Sequence, residues 1–442
     1  MRRMVPGLIL AFSCTVFAFA DDNWPNWRGP NFNGTSDATN LPLAWSETKN
    51  IQWKVPLPSW SGATPIIWGD RIFITSPSKP NTGLGALTVK RRGGKRNPGG
   101  PDLLLLCYAK KDGTLLWERK LASGNMLNRK QNMSSPSPVT DGRHVWALTG
   151  TGALTAFDMD GKKIWDRDIQ KDYGKFGLNW GYASSPLLIR NKLIVEVLHG
   201  MFTDEPSYLV AFDPPTGKTL WKVDRPTDAP QEAPDAYSTP TVLHYTERIE
   251  IVISGGDYVT GHDLDTGREI WRVGGLNPTR SQWFRTIASP VTANGMVYVS
   301  SRKKPLVAIK AGGKGNITDT HVVWKNDLGT DVPTPVTDGK YLYILDDQGR
   351  ATCLDTKTGK PYWEGKRIAR GTYSASPLLA ADRLYATSES AATTVLAAGP
   401  VFKILGQNQL DDEYVLSSIA VSGRQLFVRT STHLYCIAKK EN

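Results

Sequence analysis

Short stretches with alternating apolar and polar positions recur along most of the chain, separated by turns rich in Gly, Asp and Pro. One recurring element is a small hydroxyl residue followed by Pro, an apolar strand, a turn and a second strand, as in residues 64–74 (TPIIWGDRIFI) and 137–146 (SPVTDGRHVW). Further copies begin at Ser185-Pro186, Thr239-Pro240, Ser289-Pro290, Thr334-Pro335, Ser376-Pro377 and, in a diverged form, Ser418-Ile419. Period-2 alternation on both sides of a Gly turn predicts a β-hairpin.

A second element follows each of the first ones and forms another hairpin, in which an Asp and a Gly turn precede a strand that ends in Trp. Residues 211–221 (AFDPPTGKTLW) show it best. Related copies end at Trp117, Trp165, Trp271 and Trp363; Trp324 ends a diverged copy, and we expect Phe402 to take this place in the seventh. Two hairpins per repeat give four strands, which is the blade of a β-propeller. The sequence therefore predicts an all-β, eight-bladed propeller of four-stranded antiparallel blades.

The repeated tryptophans have a structural explanation. A single blade cannot bury both of its faces, so a large flat apolar group is needed between neighbouring blades. An indole supplies that area, and its N–H can reach a backbone carbonyl. We therefore assign these tryptophans to packing rather than to catalysis.

The last repeat ends before its fourth strand. Residues 418–438 provide three strands, whereas residues 51–55 (IQWKV) precede the first repeat and carry an unassigned strand pattern. We expect this N-terminal strand to complete the C-terminal blade, because closure removes two exposed sheet edges. The propeller then spans residues 50–442. Residues 21–49 form an N-terminal extension that either packs on the propeller or serves as a tether.

The first 20 residues have the pattern of a secretory signal peptide. Arg2 and Arg3 precede an apolar stretch, and Ala18-Phe19-Ala20 gives a small-x-small cleavage pattern. No later stretch approaches the ~20 apolar residues of a spanning helix. We therefore expect an exported protein in the periplasm or outside the cell.

The formal net charge of +11 is concentrated in one place. Residues 79–102 form a Gly- and Pro-rich insertion in the first blade, which we expect to be a surface loop. Its basic residues are Lys90, Arg91, Arg92, Lys95 and Arg96. The loop is either simply solvated or contacts an anionic surface. Nucleic acid is not an expected partner, because no nucleic-acid motif is present.

Three cysteines follow the signal pattern. Cys107 and Cys353 each lie ten residues before the last Trp of a repeat, and Cys436 holds the matching position in the eighth. Equivalent positions on different blades lie farther apart than the ~7 Å between Cα atoms that a disulfide tolerates. We therefore predict three buried free thiols.

Motifs of covalent and metal-dependent catalysis are missing from the sequence. It contains no GxSxG and no HExxH, and its six histidines are scattered. We therefore assign no catalytic residue and no metal ligand.

The repeat itself predicts a candidate binding site. Loops that enter the innermost strand of each blade meet at one end of the axial channel, and the residues just before the small-Pro pairs would surround its mouth. These are Trp60, Tyr182, Tyr237, Arg285, Tyr373 and Tyr414, and the longest loops add Trp180, Asp235 and Trp283. A concave mouth lined by aromatic groups is a default ligand site. The alternative is that these rings only pack the loops over the channel.

The pattern AxDxxTGKxxW behind a Ser-Pro strand resembles the PQQ-repeat, or quinoprotein-like, propeller family from about residue 51 to the C-terminus. The resemblance implies one of two functional classes. PQQ-dependent alcohol and sugar dehydrogenases hold the quinone and Ca²⁺ over the propeller axis, whereas BamB-type outer-membrane assembly proteins are eight-bladed scaffolds without catalysis. Residues 24–34 (WPNWRGPNFNG) also resemble the opening of exported PQQ-like propellers of planctomycete-type bacteria.

The chain departs from the dehydrogenase pattern, which often includes two adjacent cysteines against the cofactor, and we align no Ca²⁺ ligand set with it. We therefore favour a non-catalytic binding or scaffold propeller that engages an envelope protein or a small polar or aromatic ligand at its loop-bearing face. The alternative is a PQQ- and Ca²⁺-dependent alcohol or sugar dehydrogenase, or a degenerate relative of one.

Overall fold

Eight antiparallel four-stranded sheets make up the protein, and each corresponds to one sequence repeat. The computed structural model describes residues 22–79, 99–128, 130–246, 248–410 and 414–440. In blades 1–7 the four strands follow one another from the channel to the rim in chain order, whereas the outermost strand of blade 8 comes from the N-terminal side of the chain. The predicted eight-bladed propeller is confirmed.

The strands of the first four blades, from the innermost outward, have the following bounds. They are Ile66–Trp68, Arg71–Pro77, Asp102–Ala109 and Leu115–Ser123 in blade 1; Val139–Thr140, His144–Leu148, Ala153–Asp158 and Lys163–Asp168 in blade 2; Leu187–Ile189, Lys192–Val197, Tyr208–Phe212 and Thr219–Asp224 in blade 3; and Thr241–Tyr245, Arg248–Gly255, Tyr258–Asp263 and Glu269–Val273 in blade 4.

The second half of the ring has the same order. Its strands are Val291–Ala293, Met296–Ser300, Leu306–Lys310 and Val322–Asn326 in blade 5; Val336–Thr337, Tyr341–Leu345, Arg350–Asp355 and Pro361–Arg367 in blade 6; Leu378–Ala380, Arg383–Thr387, Ala392–Ala397 and Ile404–Gln409 in blade 7; and Ala420–Ser422, Gln425–Arg429, His433–Ile437 and Ile51–Pro56 in blade 8.

A few short elements lie outside this scheme. Among the described residues they are the parallel strands Thr35–Ser36 on blade 7 and Gly315–Asn316 on blade 4, the hairpin Leu127–Asn128 with Gln131–Asn132, and the helices Ile169–Tyr173 and Thr318–His321.

The N-terminal strand completes the last blade, as predicted. Ile51–Pro56 pairs antiparallel with His433–Ile437, and Val55 lies opposite Leu434. The first strand of the propeller and its last repeat thus lie in one sheet. The strand His433–Ile437 is hydrogen-bonded along both of its edges.

The tryptophans of the outer strands share one register position in the blade. Each pairs with a small residue on the third strand, for example Cys107 with Trp117 and Ala211 with Trp221. In six blades the indole Nε1 donates to a backbone carbonyl of the next blade at 2.8–3.3 Å. The predicted role of the indole as a wedge between blades is confirmed.

Blade 4 shows why the small residue matters. Its Trp271 folds back over its own sheet and donates from Nε1 to the buried carboxylate of Glu250 at 2.6 Å. A Cβ atom at Gly261 would lie 2.1 Å from this indole, so only glycine leaves room for the ring.

Blade 7 lacks the tryptophan, and the predicted substitute was wrong. Gly406, not Phe402, takes the register position opposite Val395, because Phe402 precedes the outer strand. Trp45 of the N-terminal extension supplies the missing ring: it stacks on Tyr385 with centroids 6.4 Å apart. In other blades the residue equivalent to Tyr385 contacts the blade's own outer tryptophan at 5.8–6.3 Å.

The extension packs on the propeller rather than hanging free as a tether. Trp24 pairs with Ile67 of blade 1 through two backbone hydrogen bonds, and the backbone of Gly34 accepts from Leu379 of blade 7. Asn408 on blade 7 exchanges hydrogen bonds with the chain at residues 43–45. Cys107, Cys353 and Cys436 are buried free thiols, as predicted.

Candidate functional site

The innermost strands begin with a closed ring of hydroxyl groups around the channel, which we call the hydroxyl ring. Each of its residues accepts, through its side-chain oxygen, a hydrogen bond of 2.8–3.1 Å from the backbone N–H of the ring residue in the preceding blade. In blade order the ring consists of Thr64, Ser137, Ser185, Thr239, Ser289, Thr334, Ser376 and Ser418. A short hydroxyl side chain suits these positions because its oxygen can accept this hydrogen bond. At seven of the eight positions a Pro follows and fixes φ at the start of the strand.

A cavity of about 350 Å³ lies inside this ring and opens among the loops. Its volume is that of a site for a small molecule, roughly 300–1,000 Å³. All eight ring residues line it, together with Trp180, Tyr237 and Arg285 from the long loops. The cavity at the axial channel is therefore our candidate site.

Hydrogen bonds hold the aromatic side of the mouth in place. The Trp180 backbone N–H donates to the Tyr237 hydroxyl at 2.9 Å, and its indole Nε1 donates to Glu232 Oε1 at 2.5 Å. Asn179 Nδ2 donates to the same carboxylate oxygen at 3.2 Å. Burial raises the pKa of Tyr237 well above its usual value, so this hydroxyl stays protonated. The aromatic wall is therefore preorganised.

A shared carboxylate connects two arginines next to this aromatic wall. Asp331 Oδ2 lies 3.4 Å from Arg285 Nη2 and 3.8 Å from Arg302 Nε. A second cavity of about 330 Å³ adjoins the first, and Trp180, Trp283, Arg285 and Arg302 line it. Trp283 is 53% exposed there. Trp180 and Arg285 thus belong to both cavities.

A further ion pair lies at the rim. Lys130 Nζ lies 2.6 Å from Glu389 Oε1, and the Ser374 hydroxyl donates to the same oxygen at 2.5 Å. Asp347 also lines the cavity, and burial, followed by the nearby Asp331, raises its pKa. The wall therefore carries charges of both signs.

The N-terminal extension closes the end of the channel away from the loops. Trp27 lines the cavity, and Arg28 donates to the carbonyls of Pro335 and Pro377 at 2.7 and 3.2 Å, one residue past the hydroxyl ring. Gly34 takes a φ of 81°, and a Cβ there would meet the Arg28 guanidinium at 2.3 Å. The motif of residues 24–34 therefore closes this end of the channel.

The structure divides the nine predicted mouth residues into three groups. Trp180, Tyr237 and Arg285 line the channel cavity, and Trp283 lines the adjoining one. Tyr414 is half-buried, two residues before Leu416 on the cavity wall.

The other four predicted residues are buried behind the wall and support the loops. They are Trp60, Tyr182, Asp235 and Tyr373. The Tyr182 hydroxyl donates to the Glu196 carbonyl at 2.8 Å, and the Tyr373 hydroxyl donates to the Ala369 carbonyl at 2.9 Å. Contrary to the expectation, none of the four lines the channel cavity. The rings of Tyr182 and Tyr373 turn away because their hydroxyls satisfy buried backbone carbonyls.

Buried Asp235 anchors two loops. Its carboxylate accepts from the backbone N–H groups of Asn179 at 2.7 Å and Met201 at 3.1 Å. Burial raises its pKa to about 6 despite these hydrogen bonds. Asp235 therefore acts on the site through the position of the Trp180 loop.

Sequence reasoning missed two parts of the site. In the sequence the hydroxyl ring is visible only as the small residue that begins each repeat. Trp27 was visible in the opening motif, but nothing local places residue 27 at the channel. The basic residues 90–96 and the signal pattern of residues 1–20 lie outside the described residues.

The donor set gives little support for a Ca²⁺–quinone site. Within the described ranges no group of three or more His, Cys, Asp and Glu side chains could hold a metal ion. The cavity carboxylates are Asp331, which faces two arginines, and Asp347, whose pKa is raised. The aromatic groups and Arg285 could contact a planar acid such as the quinone. In the same ranges, no helix is long and apolar enough to span a bilayer.

Similar structures include both functional classes. BamB from Moraxella catarrhalis superposes with a TM-score of 0.59 at 13% identity, over 87% of this chain and 98% of that one. A europium-containing methanol dehydrogenase superposes with a TM-score of 0.68 at 10% identity, over 94% of this chain and 98% of that one. Quinohemoprotein alcohol dehydrogenase from Comamonas testosteroni superposes with a TM-score of 0.64 at 10% identity, over 95% of this chain and 81% of that one. At these identities the likeness shows the fold alone.

No curated protein matches the chain by sequence. The model of one family does match it, over residues 35–194, 205–318 and 313–400, and therefore over most of its length. With the eight-bladed fold, this match shows that the chain belongs to the family described as outer membrane protein assembly factor BamB.

Proposed function

We propose that this protein is a non-catalytic binding or scaffold propeller of the cell envelope, which engages a ligand or a protein partner at the loop-bearing mouth of its channel. One observation carries the proposal. The mouth is a preformed cavity whose Trp180, Tyr237 and Arg285 are held by hydrogen bonds and an ion pair. A preorganised wall lowers the entropy lost on binding.

The balance of charge at the mouth supports a polar partner. Arg285, Arg302 and Asp331 form one group, and Lys130 with Glu389 forms another. Charges of both signs around aromatic surface favour orientation and specificity over raw affinity. The half-exposed Trp283 adds the kind of side chain that is enriched at binding hot spots.

Site-specific photo-crosslinking tests the location. A benzoylphenylalanine is placed at Trp283 on the mouth or at Leu116 on the outer strand of blade 1, which is 47% exposed. We expect a discrete adduct in the envelope of the native host from position 283 and none from position 116. Adducts from position 116 alone would contradict the proposal.

The alternative function is the quinone-dependent dehydrogenase, favoured by the fold shared with two such enzymes. Calorimetric titration of the purified full chain with PQQ and Ca²⁺, followed by a dye-linked assay of alcohol and sugar oxidation, separates the two. Micromolar PQQ binding with turnover would contradict the scaffold proposal. A silent titration would remove the basis of the alternative.

A further inference from the structure

The hydroxyl ring has donors for which the described ranges supply no protein acceptor. Each ring oxygen accepts one backbone N–H, yet among the described residues none of the eight hydroxyls donates to a protein acceptor. All eight residues are only 1–7% exposed, and all line the cavity. A buried hydroxyl has one proton to donate, so these protons need acceptors inside the channel.

The hydrogen-bond pattern strengthens these donors. A hydroxyl that accepts from a backbone N–H becomes a better donor through its own proton, because chains of hydrogen bonds polarise one another. Eight such chains end at the same cavity. Their positive ends favour an acceptor that carries negative charge.

Two buried guanidinium groups lie behind one arc of the ring. Arg28 donates to the carbonyls of Pro335 and Pro377, which directly follow Thr334 and Ser376. Arg429 donates to the carbonyl of Ala63, directly before Thr64, at 3.3 Å. This arc consists of four consecutive ring residues, Thr334, Ser376, Ser418 and Thr64.

In the described part of the chain, no carboxylate forms an ion pair with either of these cations. Arg28 and Arg429 take part in no ion pair among the described residues, and the Nε atom of each is buried without a hydrogen-bond partner. Burial lowers the pKa of each to about 9, which leaves both charged at neutral pH. A buried charge without a counter-charge is costly.

Nearby acidic groups do not supply the missing charge. The Ser238 hydroxyl, next to Thr239 on the opposite side of the ring, donates to Glu196 at 3.3 Å; burial raises the pKa of Glu196 well above its usual value. Higher in the cavity, Asp331 faces Arg285 and Arg302, and Asp347 accepts from the backbone N–H of Val332 at 3.2 Å. The floor at the arc therefore stays positive.

We propose that the arc of Thr334, Ser376, Ser418 and Thr64 is a binding site for an oxyanion, that is, a carboxylate, phosphate or sulfate group of the ligand. The hydroxyls donate to its oxygens, and Arg28 and Arg429 provide charge from behind. This inference deepens the proposed function and rests on it, since the arc is the floor of the same cavity.

Calorimetric titration of the full chain tests the site with selenate, phosphate, sulfate and citrate at constant ionic strength. The key variant is Thr64→Val with Thr334→Val, and its matched partner is Thr64→Ser with Thr334→Ser. We expect saturable binding by the wild type and by the Ser variant, weakened about tenfold or more in the Val variant, which lacks two hydroxyl donors. The preferred anion distinguishes a carboxylate from a phosphate or sulfate group.

Thr239→Val controls for structural damage. It removes the same kind of inter-blade hydrogen bond on the opposite side of the ring, so binding should remain at the wild-type level. In crystals soaked with selenate, we expect an anomalous peak within hydrogen-bond distance of the arc.

Three results would overturn the inference: no saturable binding of any of these oxyanions, equal binding by the Val and Ser variants, or equal loss in Thr239→Val. Its failure is distinguishable from failure of the proposed function. Crosslinking at position 283 without oxyanion binding would support the proposed function and contradict only the assignment of the arc as an oxyanion site.

Discussion

At the residue scale, the contact between glycine turns and indoles joins one blade to the next. Gly217 of blade 3 has a φ of 69°, and a Cβ atom there would lie 2.6 Å from the Trp165 indole of blade 2. The same approach recurs at Gly161 with Trp117. The Gly of the repeat is therefore required twice, for its left-handed backbone and for the ring that lies on it.

Gly217→Ala separates these two requirements. We expect it to lower the free energy of unfolding by about 1–3 kcal/mol more than Gly295→Ala, measured by urea denaturation. Gly295 has a similar φ of 73°, but a Cβ atom there would meet nothing within 4 Å. Equal losses would show that the indole contact contributes nothing.

The buried Asp235 predicts a pH dependence. Its pKa in the folded protein is raised to about 6, above the ~3.9 of an unfolded chain. Between these values the unfolded state loses the proton first, so Asp235 lowers stability progressively as pH rises from about 4 to 6. Asp235→Asn should remove this part of the decline, whereas the exposed Asp204→Asn should not. Parallel pH–stability curves for wild type and Asp235→Asn would contradict the assignment.

At the element scale, the N-terminal extension completes two structures that the repeats leave unfinished. Trp45 replaces the indole that blade 7 lacks at Gly406. Trp27 and Arg28 close the channel below the hydroxyl ring. The extension is therefore part of the folding unit, although its sequence carries no blade repeat.

Trp45→Ala tests this role. The ring is 4% exposed, and its loss should cost about 3–5 kcal/mol in the free energy of unfolding, as for other buried aromatic deletions. Trp283→Ala, at a half-exposed ring, should change it by no more than about 0.5 kcal/mol. Urea denaturation measures both. Similar effects of the two substitutions would mean that Trp45 is not part of the blade 7 core.

At the scale of the whole molecule, closure makes one cooperative ring. The strand Ile51–Pro56 joins the last blade to the chain's beginning, and Ser418 donates from its backbone to Thr64 at 3.1 Å to complete the hydroxyl ring. Arg429 adds hydrogen bonds from blade 8 to blade 1 at the same seam. An open array would expose two sheet edges instead.

Two deletions of unequal length test closure. Removal of residues 51–56 should lower the melting temperature far more than removal of the much longer segment 80–98. The ends of that segment already meet, since the Lys79 backbone donates to Gly99 at 2.8 Å. Comparable melting temperatures, followed by circular dichroism, would refute the ring-closing role of the first strand.

The sequence by itself determined the blades, their number, the closing strand and the buried thiols, because these follow from local periodicity repeated eight times. It also identified Trp180, Tyr237 and Arg285 at the mouth, since the repeat fixes where each loop meets the channel. It did not predict which aromatic side chains turn away from the cavity, because buried carbonyls such as those of Glu196 and Ala369 compete for the tyrosine hydroxyls. Only the tertiary structure placed Trp27, Trp45 and Arg28, because contacts across more than 300 residues leave no periodic signal in the chain.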